Sequence, residues 1–198
     1  GHQCTEPVHN VDINYDAIGR LAVQHLASLG HTRIGFIGAT MRLRYQRDTR
    51  DGFRSALLER GLELNEAWVQ SLDPDLKISL GEMLRRLLGG PRTPTAVVTA
   101  EPGLNPMIQS LLQELEIKVP AELSLVGCDI GETPRGGRHL TLVRLPLEEV
   151  GDAGARLLWR LTAPAQPPPS HQTQIFPALS QGWSSAPPPA AARREEDG

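Results

Sequence analysis

The sequence predicts an α/β protein built on a parallel, doubly wound β-sheet. Short apolar segments alternate along it with longer segments whose apolar residues recur at helical spacing, and glycine or proline separates many of them. Strands that alternate with helices of this length are typical of βαβ units, in which helices cover both faces of a parallel sheet. Only 4% of the 198 residues are aromatic, so aliphatic side chains must fill the core.

The first helix has the clearest pattern, because its apolar residues from Ala17 to Leu29 share one face and Gly30 follows as a stop. Further helices are predicted at about 48–60, 79–88, 104–115 and 147–161. Strands are predicted at 33–38, 67–70, 95–99, 123–127, 140–145 and 175–179. Pro177 cannot donate to a strand ladder, so the last strand is expected at a sheet edge.

Composition narrows the function classes. The net charge of −3 gives no overall attraction to nucleic acid or acidic membranes. The two cysteines, Cys4 and Cys128, lie far apart, which favours a reducing compartment over a disulfide framework. Neither a membrane-spanning apolar run nor a secretory signal is recognisable. We therefore expect a cytoplasmic protein without a membrane partner.

Motifs for catalysis or metal binding are not found. The sequence has no phosphate-binding glycine–lysine loop, no paired-cysteine zinc spacing and no nucleophile elbow, and its six histidines are scattered. His25 is better explained by packing on the first helix than by ligation, and His31 by complementing the end of that helix. We expect no catalytic residue, no metal and no cofactor.

An arginine-rich segment at 41–50 lies between a predicted strand end and a helix start. Ligands of parallel α/β sheets bind beyond the carboxyl ends of the strands, and arginine offers planar donor groups for hydroxyls, carboxylates or phosphates. The alternative is a solvated loop whose arginines pair with neighbouring acids. Asp129, at the end of a predicted strand, is a second candidate, with a capping or turn role as its alternative.

Five segments match the signatures of one family in order and spacing, namely Gly19 to Gly38, Arg50 to Leu57, Pro94 to Val98, Val119 to Asp129 and Leu140 to Gly151. Together they resemble the effector-binding part of LacI/GalR-type transcription repressors. The resemblance implies a periplasmic-binding-protein-like (type I) fold of two subdomains with an effector cleft between them. It also implies that the DNA-binding head and the start of the first subdomain are absent from this chain.

On this resemblance we divide the chain into five parts. Residues 1–11 are a leader, 12–139 are most of the C-terminal subdomain, and 140–163 are a crossover strand and helix of the N-terminal subdomain. Residues 164–186 form a return connector with the last strand, and 187–198 form a disordered tail.

The resemblance also suggests residues that contact the effector. Asp129 matches the family's effector-binding acid. Thr49 stands where the family has a ligand arginine, and Arg47 and Arg50 flank it, while Glu101 replaces an asparagine–aspartate pair. The predicted ligand-binding set is Asp129, Arg50, Arg47, Thr49, Tyr45 and Glu101.

The predicted function is to sense a small effector, a sugar or related metabolite, and so to control operator binding through a head outside this chain. A homodimer is expected, with Leu104, Met107 and Ile108 as candidate interface residues, although core burial is an alternative for each. A carbohydrate-uptake binding protein is the first competing hypothesis, and an enzyme on a doubly wound sheet is the second.

Overall fold

The fold is described from a computed structural model of the chain, for residues 9–39, 42–72, 79–90, 92–130, 139–162 and 172–190. Its helices are α1 (Asp16–Ser28), α2 (Arg44–Glu59), α3 (Leu80–Leu88), α4 (Leu104–Glu114) and α5 (Leu147–Thr162), with a short 3₁₀ helix at Glu66–Trp68. Its strands are β1 (Asn10–Ile13), β2 (Ile34–Gly38), β3 (Val69–Ser71), β4 (Ala96–Thr99), β5 (Ser124–Asp129), β6 (Thr141–Arg144), β7 (Gln172–Ile175) and β8 (Ala178–Ser180).

Six of these strands form the main sheet, in the order β3-β2-β4-β5-β6-β8. Neighbouring strands from β3 to β6 are parallel, and β8 runs antiparallel to β6 at the edge. Strands β1 and β7 pair in parallel as a separate two-stranded sheet. The predicted α/β fold with a mostly parallel sheet is confirmed.

Helices cover both faces of the main sheet, as the alternation of strands and helices predicts. On one face, Ile18 and Phe53 from α1 and α2 pack on Phe36, whose ring centroid lies 5.1 Å from that of Phe53. On the other face, Leu84 and Ile108 from α3 and α4 pack on the opposite side of the strands. Each face therefore has its own hydrophobic core.

Two glycines bring α1 and α2 into backbone contact. A Cβ at Gly19 would lie 2.3 Å from both the amide nitrogen of Phe53 and the carbonyl oxygen of Thr49. A Cβ at Gly52 would lie 2.1 Å from the carbonyl oxygen of Asp16. Only residues without a side chain fit at these two points, and the contact fixes the middle of α2 against α1.

The chain passes three times between the main sheet and a smaller unit formed by β1, β7 and α5. The crossings lie between β1 and α1, between β6 and α5, and between β7 and β8. Helix α5 contacts β1, and none of its residues is buried. The carboxyl ends of β1 and of the main strands are thereby brought to the same side.

A strap formed by residues 182–188 crosses the amino ends of β5 and β6. The amide of Leu125 donates to the carbonyl of Ser184 (2.7 Å), and the amide of Thr141 donates to the Ser184 hydroxyl (2.9 Å). The buried ring of His31 contacts Thr95 (2.8 Å), Ser124 (3.1 Å) and the carbonyl of Ala186 (2.8 Å). His31 thus holds the strap, besides closing α1 through a bond from its amide to the carbonyl of Leu26.

The structure differs from the predicted division at two points. The strand expected at 175–179 is interrupted at Phe176 and Pro177, and its two parts belong to different sheets because Pro177 has no amide hydrogen to donate. Strand β6, assigned to the other subdomain with the rest of 140–163, instead pairs with β5 and β8 in the main sheet, while α5 joins the smaller unit.

The ends of the predicted division lie partly outside the described residues. Residues 10 and 11, assigned to the leader, belong to β1, which sequence patterning did not predict. In the tail predicted to be disordered, Pro188 is buried, and 191–198 lie outside the described residues. The connector at 163–171 also lies outside them. None of the helices within the described ranges is long and apolar enough to cross a bilayer.

Candidate functional site

A cavity of about 310 Å³ lies at the carboxyl edge of the strands, between the main sheet and the smaller unit. Strand ends and the loops after them contribute Ile13, Ala100, Glu101, Pro102, Cys128, Ile130 and Leu145. Helices contribute Tyr15, Ile18, Tyr45, Thr49 and Leu147 from the starts of α1, α2 and α5. This is the edge where parallel α/β sheets bind ligands, and the volume is at the lower end of small-molecule sites.

Glu101 is held at the rim by residues of α2. The side-chain amide of Gln46 donates to Glu101 Oε1 at 2.9 Å, and the Tyr45 hydroxyl donates to the same oxygen at 3.3 Å. The side-chain oxygen of Gln46, Oε1, accepts a hydrogen bond from the backbone amide of Leu43, just before the helix, at 3.3 Å. One buried glutamine therefore links the start of α2 to the loop after β4.

Two tyrosines form the aromatic part of the wall. The rings of Tyr15 and Tyr45 lie 5.3 Å apart at 43°, a tilted arrangement that aromatic pairs favour. Burial raises the pKa of both phenols, and nearby acids raise it further, Asp12 for Tyr15 and Glu101 for Tyr45. Both hydroxyls therefore stay protonated at neutral pH, and that of Tyr45 donates its hydrogen to Glu101.

Cys128 closes the cavity floor beside these groups. Burial raises the pKa of its thiol to about 12, and the negative charges of Glu101 and Asp129 act in the same direction. Because the thiolate is the nucleophile, this environment suits a packing thiol and not a reactive one.

We expect Cys128 to resist alkylation in the folded protein. A pKa of about 12 instead of 9.0 leaves roughly 1000-fold less thiolate at neutral pH. Iodoacetamide labelling of a Cys4→Ser variant, followed by intact-mass spectrometry, should therefore be slower by about two to three orders of magnitude than labelling of the same variant in denaturant. Labelling at similar rates in both conditions would contradict the buried, protonated thiol.

A second, more open cavity of about 420 Å³ adjoins the first and shares the two tyrosines. Its other lining residues are Asn10, Asp12, Leu43, Arg44 and Asp48. Arg44 is paired with Asp48, with 3.3 Å between its Nε and Asp48 Oδ2. The charged residues that line this second cavity are two acids, Asp12 and Asp48, and one base, Arg44, so their net charge is negative.

The structure brings together three of the six predicted ligand-binding residues, Tyr45, Thr49 and Glu101, at the cavity. Helix α2 begins at Arg44, four residues earlier than predicted, so the arginine-rich segment is mostly helical and not a loop. In a helix, Tyr45 and Thr49 share a face, and Arg47 is turned about 200° from Tyr45.

The remaining three predicted residues make other contacts. Arg47 donates to the carbonyl of Arg42 at 3.2 Å, and Arg50 pairs with Asp51 at 2.9 Å, and neither lines a described cavity. Asp129 Oδ1 accepts the amide of Ile130 at 2.9 Å, the turn contact that the sequence left as an alternative. Asp129 does not line either of the two cavities, although Cys128 and Ile130 on either side line the first.

Sequence patterning missed most of the apolar wall. Ile13 and Tyr15 belong to the end of the unpredicted β1 and the turn after it, and Leu145 and Leu147 follow β6. Their positions directly after strands are the pattern that could have identified them. Of the described residues, no three histidines, cysteines or acids are grouped as a metal site would need.

The three predicted dimer residues differ in their exposure. Leu104 and Ile108 share one face of α4 and are buried in this chain's own core, Ile108 being 0% exposed. Met107 is 53% exposed. Of the three, the structure leaves Met107 on the surface.

The comparisons with known proteins agree with this architecture. Residues 23–185 match the model of the periplasmic binding protein-like domain. The HTH-type transcriptional regulator GalR of Escherichia coli is 34% identical over 161 residues, 80% of this chain and 46% of that protein. The ribose operon repressor of Escherichia coli is 28% identical over 174 residues, 84% of this chain and 50% of that protein. The chain thus spans about half the length of these curated relatives.

Solved structures give the same result. A LacI family transcriptional regulator from Mycobacterium smegmatis superposes with a TM-score of 0.71 at 30% identity, over 91% of this chain and 67% of that one. The transcriptional regulator CelR in complex with cellobiose superposes with a TM-score of 0.75 at 29% identity, over 91% of this chain and 55% of that one. The chain therefore belongs to the periplasmic binding protein-like domain family, in the form found in LacI/GalR-type transcription regulators.

Proposed function

We propose that this chain is the effector-sensing part of a LacI/GalR-type transcription regulator. The observation that supports it most is the cavity at the carboxyl edge, because two separate units of the fold line it. Ile13 and Leu147 come from the smaller unit, while Cys128 comes from the main sheet and Thr49 from α2, which packs on that sheet. A ligand there contacts both sides at once.

Such a ligand acts by population shift. It stabilises the arrangement in which both walls contact it, and the gain in binding free energy changes the balance between arrangements of the two units. The three chain crossings between the units are the points where such a change would occur. In the whole regulator, the change would alter how a DNA-binding head outside this chain engages an operator.

The wider proposal includes a homodimer in the cytoplasm, with the exposed Met107 on the surface of α4 as a contact. The named relatives above are transcriptional regulators, which favours sensing over carbohydrate uptake or catalysis. The protonated, buried Cys128 is a poor nucleophile and gives no support to an enzyme. The effector class expected from the resemblance is a sugar or related metabolite.

The test is a thermal-shift titration with sugars, beginning with ribose, galactose and cellobiose. A ligand at about 100 times its Kd should add roughly 2.7 kcal/mol of stability, which is a rise in Tm on the order of 5–10 °C. An Ile130→Trp variant should lose the shift, because this 55% exposed side chain lines the cavity and a larger ring would fill it.

The matched control is Leu58→Trp, which places the same ring at a similarly exposed position outside the cavity. It should keep the full shift. A shift that survives Ile130→Trp would place the ligand elsewhere. If the wild-type chain showed no shift with any of the sugars, and none with the amines and their matched neutral and acidic compounds, the sensing proposal would be overturned.

A further inference from the structure

The charge of the cavity restricts what it can hold. Of the twelve described residues that line it, Glu101 alone carries a formal charge, and most of the others are aliphatic. An anionic ligand would meet this carboxylate without a lining cation to balance it. A neutral or cationic ligand meets no such penalty.

Glu101 is also prepared to accept a ligand. Gln46 and Tyr45 both donate to its Oε1, which fixes the carboxylate group in place. No hydrogen bond reaches Oε2 from the described residues, and Glu101 is only partly buried. One oxygen is therefore held by the protein and the other remains open at a cavity wall, as in a preorganised acceptor.

The charges around the cavity strengthen the preference for a cation. In the adjoining cavity Arg44 and Asp48 pair with each other, which leaves Asp12 as the additional acid among its lining residues. Arg50 is engaged by Asp51 outside the site. The pKa values of Tyr15, Tyr45 and Cys128 are raised mainly by burial, and the charge of Asp12 or Glu101 adds to each increase.

The two tyrosines supply the other half of recognition. Their rings lie side by side at the wall, 5.3 Å apart, with Thr49 on the same face of α2 as Tyr45. Aromatic faces attract cations and also pack against apolar or sugar-ring surfaces. A ligand with a positive group and a flat or apolar body would use both features.

We propose that the effector carries a protonated amine that pairs with Glu101 Oε2, while its body packs on Tyr15 and Tyr45. This rests on the proposed sensing function and narrows it, since sugar phosphates and sugar acids are disfavoured. The amine is the shared chemistry of two sources, an amino sugar and an arylalkyl amine.

Isothermal titration with two matched series distinguishes these sources. The first series is galactosamine, galactose and galacturonate, and the second is 2-phenylethylamine, 2-phenylethanol and phenylacetate, all in a slightly acidic buffer that keeps both amines protonated. Within the series that fits, the amine should bind about 10- to 100-fold more tightly than its neutral counterpart, the usual gain from a charged hydrogen bond. The acid should bind more weakly than the neutral compound.

A Glu101→Gln variant should remove this preference, leaving the amine and the neutral compound within a few-fold of each other. Glu114→Gln, an exposed carboxylate on α4 outside the cavity, is the matched control and should keep the full preference. Circular dichroism and Tm of both variants check that each is folded.

Two outcomes would overturn the amine proposal and leave sensing intact. One is tight binding of a neutral sugar or an acid with no advantage for the amine. The other is an amine preference that survives Glu101→Gln. If neither series nor any of the sugars binds, the sensing function itself fails and the amine proposal falls with it.

Discussion

Replacing Gly52 with alanine should lower the free energy of unfolding by about 3 kcal/mol or more. The new Cβ would lie 2.1 Å from the carbonyl oxygen and 2.8 Å from the carbonyl carbon of Asp16. These are backbone atoms of α1 and cannot turn aside as a flexible side chain does. The two helices must separate, which opens gaps in the core around Phe53.

Gly19→Ala should have a similar effect, since its Cβ would lie 2.3 Å from the backbone of α2 at Thr49 and Phe53. Chemical denaturation of both variants, fitted for the unfolding midpoint and slope, gives the loss directly. The matched control is Gly151→Ala on α5, where nothing lies within 4 Å of the added Cβ. Alanine there should stabilise by about 0.5–1 kcal/mol, because glycine is a poor helix former.

The same two substitutions should also change the shape of the cavity. Thr49 lines the cavity, and its carbonyl oxygen is one of the atoms that Gly19 contacts. Separating α1 from α2 would therefore move the wall that carries Tyr45 and Thr49. If both glycine variants kept wild-type stability, the close approach of the two helices in this structure would be wrong.

The fold was predictable where hydrophobic periodicity was strong. Helix α1 runs from Asp16 to Ser28, against a prediction ending at Leu29, and β2 and β4 lie within the predicted strands. Strand β1 could not be found in this way, because Asn10–Ile13 alternates polar and apolar residues over only four positions. The place of β6 also depends on long-range pairing with β8, which local patterning does not encode.

The site was predictable in location but less so in its residues. The rule that ligands bind beyond strand ends led to the segment with Tyr45 and Thr49, and the family resemblance led to Glu101; all three line the cavity. Charge favours Arg47 and Arg50 as ligand-binding candidates, but helix phase determines which side chains of α2 face the cavity. Residues 44–47 follow that phase because α2 already begins at Arg44, where the side chain of Gln46 accepts the amide of Leu43, a bond that periodicity does not show.

Replacing His31 with alanine should lower the free energy of unfolding by about 2–4 kcal/mol, the second large effect we expect. His31 is 1% exposed, so removal of its ring leaves a cavity among Thr95, Ser124 and the strap. It also removes the contacts with Thr95 and with the carbonyl of Ala186, the latter on the strap. Stability from denaturation and hydrogen exchange followed by mass spectrometry would measure both consequences.

Exchange should rise first at amides that bond to the strap or belong to it. The amide of Leu125 donates to the carbonyl of Ser184, and the amide of Ala186 donates to the Ser124 hydroxyl. His25→Ala is the control, because this half-buried ring reaches the strap through a single described bond, to Ser185 at 2.8 Å, and should cost about 1 kcal/mol. Equal losses in the two variants, or no added exchange at Leu125 and Ala186, would mean that His31 does not hold the strap. A larger loss at His31 with local exchange would show that this residue fixes the amino edge of the sheet, opposite the cavity.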